Sequence, residues 1–238
     1  MLTADSISII IPTYQEAACI GQLVEYLQQA GAAENGVEII VADAPGTDAT
    51  AAVAAAAGAR VIQCTERGRA AQMNHGAAQA QGQLLYFLHA DTLPPKRFLT
   101  TIRAALRPGG YGSGCFRLQF DHPHWFLRLS AWFTRFPAEI VRFGDQSLFV
   151  RREVFEQAGG FRPDMVILED QEIIARLRRH GRFVVLPEAV VTSARKYLDN
   201  GVFRLQGIFL LLCVLYRLGL GQTQLRQTYR TLVRQDKI

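Results

Sequence analysis

The 238-residue chain is 49% hydrophobic and 20% charged, which excludes a disordered or fibrous protein and leaves enough apolar mass for a full core. Its formal net charge of +5 contains no Lys/Arg run, which argues against nucleic acid and suits an anionic small molecule or an anionic membrane surface. Cys19, Cys64, Cys115 and Cys213 form no Cys-x-x-Cys pair, so they read as reduced core thiols of a cytoplasmic protein rather than zinc ligands. The N-terminus has no basic region of signal-peptide type and leads directly into Ile7 to Ile11, a β-branched run expected to be a strand. Ile20, Leu23, Val24 and Leu27 follow at helical spacing. Val37 to Val41 reads as a strand, Ala49 to Ala57 as a helix and Arg60 to Gln63 as a short strand. Ala70 to Ala80 is the next helix, and Leu84 to Leu88 the fourth strand. Strands separated by helices predict an α/β chain, with a mostly parallel central sheet and helices on both faces.

The second half is less regular. Gly114 to Phe120, Ser147 to Val150 and Phe183 to Leu186 are expected strands; Trp125 to Phe136, Arg152 to Ala158 and Asp170 to Arg179 are expected helices. No repeat or linker interrupts the chain, so a single domain over 1–238 is expected. Residues 1–92 would form a first half, 93–195 a second half and 196–238 a C-terminal helical segment. Gly207 to Tyr216 is the longest apolar run, bounded by Arg204 and Arg217. It is about half the roughly 20 residues that a membrane span needs. The expected state is a buried or interfacial helix, with contact to another subunit or peripheral attachment at the inner face of a membrane as further readings.

In open α/β sheets ligands lie beyond the carboxyl ends of the strands. Four polar clusters each follow a strand: Thr13-Tyr14-Gln15-Glu16, Asp43, Arg67-Gly68-Arg69 and His89-Ala90-Asp91. Parallel strands bring all four to one rim. Asp43 can accept hydrogen bonds from a base or ribose. The two arginines and a helix N-terminus near residue 69 suit a diphosphate. Asp91, two residues from His89, suits a hard divalent ion on the same phosphates. Each acid alone reads equally well as a turn or cap residue. Asp145, in a polar turn, and the Glu169-Asp170 pair, at a helix start, add a second layer. Asp170 can serve as a base, and the helix N-terminus is expected to keep it ionised.

These residues also resemble a known family. Pro12-Thr13-Tyr14-Gln15-Glu16 is similar to the P-x-Y-N-E opening of the family 2 glycosyltransferases, and Ala42 to Thr50 (ADAPGTDAT) to their V-D-D-G-S-x-D-x-T segment. Gly68 to Thr92 resembles their G-x-x-x-x-x-N-x-G…D-x-D block, with Asn74 at the Asn position. Gly144-Asp145-Gln146, Arg151-Arg152, Gly159-Gly160-Phe161 and Glu169-Asp170 resemble the acceptor-side motifs. His-Ala-Asp in place of Asp-x-Asp, Arg-Phe-Gly-Asp-Gln and Val191-Thr192-Ser193-Ala194-Arg195 look like a narrower subgroup, the small bacterial glycosyltransferases associated with radical-SAM proteins and arsenosugar biosynthesis.

The resemblance implies the GT-A fold of nucleotide-diphospho-sugar transferases and sugar transfer from a nucleotide-sugar donor, UDP-linked, to an acceptor hydroxyl. Pro12, Thr13, Glu16, Asp43, Arg67, Arg69, Asn74, His89 and Asp91 would bind the donor, with Asp43 on the base. Asp91, with His89, would hold a divalent cation, Mn²⁺ or Mg²⁺. Gly144, Asp145, Gln146 and Glu169 would lie on the acceptor side, and Asp170 would be the catalytic base of an inverting reaction. Ala44 and His89 depart from the usual acids. The absence of Q-x-x-R-W argues against a processive synthase. A dehydrogenase would carry G-x-G-x-x-G after the first strand, where Pro-Thr-Tyr-Gln-Glu stands. A sugar-phosphate nucleotidyltransferase and a non-catalytic nucleotide-sugar-binding subunit are the competing readings.

Overall fold

The alternation along the first strand explains how the layers form. Ile7, Ile9 and Ile11 point into one apolar layer and Ile10 into the other, and all four are fully buried. A strand buried on both faces lies inside a sheet that helices cover on both sides. The computed structural model describes residues 5–32, 34–136, 138, 141 and 144–234. Arg142 and Phe143 of the Arg-Phe-Gly-Asp-Gln stretch lie outside the described residues.

Strands β1 (Ile7–Thr13), β2 (Val37–Asp43), β3 (Arg60–Gln63) and β4 (Leu84–Phe87) pair in parallel in the order β3-β2-β1-β4. The sheet continues through β5 (Thr92–Leu93), β6 (Ser113–Phe120), β7 (Leu148–Arg151) and β8 (Phe183–Thr192), giving the eight-strand order β3-β2-β1-β4-β7-β6-β8-β5. β7 runs antiparallel to both β4 and β6, while β6 and β8 are parallel. One face is covered by α1 (Ala17–Gly31), α2 (Thr50–Ala56), α4 (Phe98–Ala105) and α5 (Trp125–Phe133). The other is covered by α3 (Arg69–Gln79), α6 (Arg152–Gln157) and α7 (Glu169–Leu177). Helices α8 (Arg195–Asn200), α9 (Val202–Arg217) and α10 (Gln222–Leu232) complete the chain, and α9 and α10 share a small core of their own.

The expected strands and helices are present, with differences at four elements, the first being the short unanticipated strand β5. Helix α4 was not anticipated, although Phe98, Leu99, Ile102 and Leu106 are buried at helical spacing. Helix α5 stops at Phe133, short of Phe136, where the Thr134 hydroxyl donates to the Ala131 carbonyl and accepts from the Leu118 amide. Strand β8 runs past Leu186, the expected end, to Thr192. Pro187 cannot donate to a ladder, but Leu186 pairs with Phe116 and Ala189 with Arg117, so Pro187 and Glu188 bulge out of register and the strand resumes. No helix among the described residues is long and apolar enough to cross a membrane.

Two close contacts fix α3 on the sheet. Gln72 is buried and its amide donates to the carbonyls of Thr13 (2.7 Å) and Ala42 (2.8 Å), clamping the carboxyl ends of β1 and β2. Gly76 lies so near β1 that a Cβ there would stand 2.5 Å from Ile10 Cγ2. At the far end of α3, Arg152 donates to the carbonyls of Ala77, Ala80 and Gly82, satisfying the last turn. Gly76→Ala should lower unfolding stability by about 1–3 kcal/mol in denaturant titration. Combined with Ile10→Ala, the total loss should fall short of the two single losses added. An unchanged midpoint for Gly76→Ala would contradict the close packing.

Candidate functional site

The parallel strands end on one rim, and there the loops enclose a cavity of about 310 Å³. Its walls include Pro12 and Thr13 at the end of β1, Tyr14 and Glu16 just after it, Arg67 and Arg69 before and at the start of α3, and His89 and Asp91 after β4. Asp145, Glu169 and Asp170 enter from the opposite side, and Lys196, Tyr197, Phe209 and Tyr229 from the C-terminal helices. The β1–α1 loop is braced from the next loop. Asp48 accepts from the Ala17 amide and the Thr50 hydroxyl, and that hydroxyl accepts from the Glu16 amide. Among the described residues, positive φ outside glycine occurs at Gln15, Ser147 and Leu168. Each adjoins a cavity loop, so the strain that such conformations carry is gathered around the cavity.

Charge dominates this cavity. Arg69 Nε lies 3.4 Å from Glu169 Oε1, and Glu169 is only 3% exposed. His89 Nδ1 lies 3.4 Å from Asp145 Oδ1. Burial pulls the His89 imidazole down, but the hydrogen bond to Asp145 and the nearby carboxylates outweigh it and raise its pKa. Burial opposes ionisation of Asp145 in turn, yet His89 and Arg69 hold it below the usual carboxylate range. Asp91 is raised by burial and by the charge of Asp145. Asp170 is pushed up to about 7, first by burial and then by Glu169, against the pull of His89 and Arg69. The expectation that the start of α7 keeps Asp170 ionised is therefore corrected: desolvation and a neighbouring acid exceed the fraction of a kcal/mol to about 1 kcal/mol that a helix end supplies.

Six acids line the cavity together with five Arg or Lys side chains and His89, so a bound cation and a bound phosphate would both find partners there. Among the described residues no group of three or more His, Cys, Asp or Glu side chains is arranged to hold a metal ion. The donor set fits an ion that keeps few protein ligands and completes its shell from phosphate oxygens, as Mg²⁺ commonly does. Asp91 offers a carboxylate. His89, with Nδ1 facing Asp145, leaves Nε2 as its other ring nitrogen.

The sequence comparisons agree with this geometry. A family model described as Glycosyl transferase family 2 matches residues 8–161, well over half of the chain. The chain belongs to glycosyl transferase family 2. No curated protein matches it by sequence. Among solved structures, a mannosyltransferase from Pyrobaculum calidifontis, in complex with GDP-Man and Mn²⁺, superposes with TM-score 0.71 at 20% identity over 94% of this chain and 69% of that one. S. aureus TarS in complex with UDP-GlcNAc gives TM-score 0.66 at 17% identity over 79% and 58%. Mannosyl-3-phosphoglycerate synthase from Rubrobacter xylanophilus gives 0.62 at 18% identity over 97% and 77%. At these identities the likeness is one of fold, the α/β GT-A fold of nucleotide-sugar transferases. The family match ends before Glu169 and Asp170, so those two acids join the cavity by the geometry of this chain alone.

Not every expected residue of this glycosyltransferase reaches the cavity. Asp43 sits beside Thr13 in the sheet register, 7% exposed, and accepts from the Thr13 hydroxyl at 2.7 Å; it holds the rim from the neighbouring strand. Asn74 is turned away: its amide donates to the Phe161 carbonyl at 2.7 Å and its oxygen accepts from the Phe161 amide at 2.9 Å. Gln146 is buried, donating to the Phe116 carbonyl of β6 at 3.1 Å, and Gly144 lies in the tight turn that presents Asp145. Arg67 stacks over the Tyr14 ring at 3.7 Å. Gln72, Lys196, Tyr197 and Tyr229 were missed. A glutamine on the buried face of α3 was the one readable sign; the other three arrive from the C-terminal helices by tertiary packing. Asn74→Ala should cost about 1–3 kcal/mol of stability, as expected when a part-buried pair of hydrogen bonds is lost. Donor affinity by calorimetry should stay within about twofold. Weakened donor binding at unchanged stability would return Asn74 to the donor site.

Proposed function

We propose that this family 2 glycosyltransferase moves a sugar from a nucleotide-diphosphate donor, UDP-linked, to an acceptor hydroxyl with inversion, using Asp170 as general base. The observation that carries the reading is the convergence of Asp170, Asp91 and the Arg67–Arg69 loop on one cavity. The base would rest at the ends of β1 and β2 with Thr13 and Glu16, and Asp43 would act by holding the Thr13 hydroxyl. The diphosphate would face Arg67, Arg69 and the start of α3. A divalent cation, Mn²⁺ or Mg²⁺, would be held by Asp91 with His89, and when bound it supplies positive charge against the leaving diphosphate. Asp145 orients His89, and Glu169 orients Arg69 while raising Asp170.

In the chemical step the acceptor oxygen attacks the anomeric carbon while its proton passes to a carboxylate oxygen of Asp170. The bond from that carbon to the diphosphate oxygen breaks on the opposite face, and the electron pair leaves with the diphosphate. A base whose pKa lies near neutrality accepts the proton in the transition state more readily than an ordinary carboxylate. Of the stretches that carry the narrower likeness to the small bacterial radical-SAM-associated subgroup, His89-Ala90-Asp91 and the end of Arg-Phe-Gly-Asp-Gln meet through the His89–Asp145 pair. A purely binding role gives no use to a carboxylate buried where its charge is disfavoured.

Asp170→Asn should lower kcat by about 10²–10⁴-fold with donor affinity nearly unchanged. Normal turnover in that variant would remove Asp170 from the chemistry. Because the base must be ionised, and Asp170 sits near 7 in the free protein, kcat/KM should rise with pH through about 7 and level off above it. A flat profile between about pH 5.5 and 8 would contradict the assignment. Asp91→Ala should abolish the gain in donor affinity that Mn²⁺ or Mg²⁺ gives in calorimetry; an equal gain in both proteins would clear Asp91 of metal binding.

A further inference from the structure

Two helices present apolar stripes to solvent. On α5 and its continuation, Trp125, Leu129, Trp132, Phe133 and Phe136 are all exposed, Trp125 by 63%. On α9 and just beyond it, Phe203, Leu210, Leu211, Val214 and Leu218 are exposed, Leu218 by 73%. Both sets recur at helical spacing, so each is one face rather than scattered residues. The stripes meet. The Phe203 ring lies 5.9 Å from that of Trp125 and 4.8 Å from that of Phe126. An apolar surface this continuous, ending in tryptophans, is uncommon on a water-exposed face and marks an interaction site.

The charges around it select the occupant. Helix α9 has no Asp or Glu and carries Arg204 and Arg217 at its two ends. Helix α5 is likewise free of acids and carries Arg128, and Arg135 stacks over Trp132 at 4.4 Å. Beside α5 an open groove of about 660 Å³ is lined by Arg117, Arg128 and Arg135. Arg117 Nε is buried there without a hydrogen-bond partner among the described residues. The acid in the groove, Asp121, is engaged by the Ala194 amide at 2.7 Å. A two-fold pairing of this face with a second copy would set arginines against arginines, with no acid on either stripe to balance them.

We propose that this face seats on an anionic phospholipid bilayer, with the aromatic stripe at the acyl boundary and the arginines on headgroup phosphates. Tryptophan favours that boundary, and arginine tolerates it by keeping its charge among the phosphates. Neither helix needs to cross the bilayer; both lie along it. Other residues of the same helices, Ser130 of α5 and Gln206, Phe209 and Cys213 of α9, wall the catalytic cavity. The seated protein would therefore hold its cavity beside the membrane surface.

Trp125 and Trp132 are the two tryptophans of the chain and both lie on the stripe, so intrinsic fluorescence reports it directly. With the full chain, vesicles containing phosphatidylglycerol should shift the tryptophan emission to the blue, carry the protein on flotation and lose it as salt rises; pure phosphatidylcholine should bind at least about tenfold more weakly. Replacing Trp132, Phe133, Leu210 and Leu211 by Gln, all exposed, should reduce vesicle binding about tenfold or more with the melting curve retained. Unchanged emission and no flotation of the wild-type chain would overturn the proposal. So would a wild-type dimer in light scattering that the four substitutions convert to a monomer without any vesicle binding. If the variant is unfolded, the emission and flotation of the unaltered protein decide the matter alone. Flotation does not depend on sugar transfer, so its failure would leave the transferase reading intact.

Discussion

The structure around the cavity depends on crowding four carboxylates onto one rim, with Glu169 buried, Asp145 and Asp170 half-buried and Asp91 exposed. Asp91, Asp145, Glu169 and Asp170 share a small space with Arg69 and His89. Removing a carboxylate from water costs several kcal/mol unless opposite charge or hydrogen bonds compensate it. Here the compensation is incomplete. Two acids have close cationic partners, Asp145 with His89 and Glu169 with Arg69. The others are left raised, and Asp170, beside Glu169, is pushed up to about 7. Raised carboxylates of this kind are poised both to hold a proton and to gain from a cation.

The rest of the fold holds these groups in place. The parallel strands β1, β2 and β4 deliver loops to one rim, and Gln72 clamps two strand ends from beneath. Asp48 and Thr50 brace the first loop, while the turn through Gly144 and the left-handed Leu168 aim Asp145 and the start of α7 from the other side. Gly76 lets α3 approach β1 closely, and Asn74 ties the same helix to Phe161. Residues that look like donor contacts in a linear motif thus include several whose work is to set the distance between the helix carrying Arg69 and the sheet.

The first four strands and the rim clusters were legible because short, near-continuous apolar runs separated by helical periods leave few choices for Ile7–Ile11 or Leu84–Leu88. The cavity acids were legible because each polar cluster stands directly after a strand or at a helix start. Other features depend on contacts that no local pattern encodes. Asn74 and Gln146 are polar residues in motifs, and only the tertiary structure shows that their amides meet backbone groups of Phe161 and Phe116. Strand β8 crosses Pro187 because a bulge removes the need for its missing donor. The protonation of Asp170 was misjudged for the same reason. A helix start is visible in sequence, whereas the depth of burial and the proximity of His89, Arg69 and Asp145 are not.

Titration of carbon-13-labelled aspartate carboxyls by NMR tests the charge balance most directly. Asp170, assigned by its loss in Asp170→Asn, should titrate with a midpoint near 7 in the wild-type protein. In Glu169→Gln that midpoint should move down toward the ordinary value of about 4, because the neighbouring negative charge is gone. A wild-type midpoint already near the ordinary value, unmoved by Glu169→Gln, would contradict the account of a crowded and undercompensated acidic site.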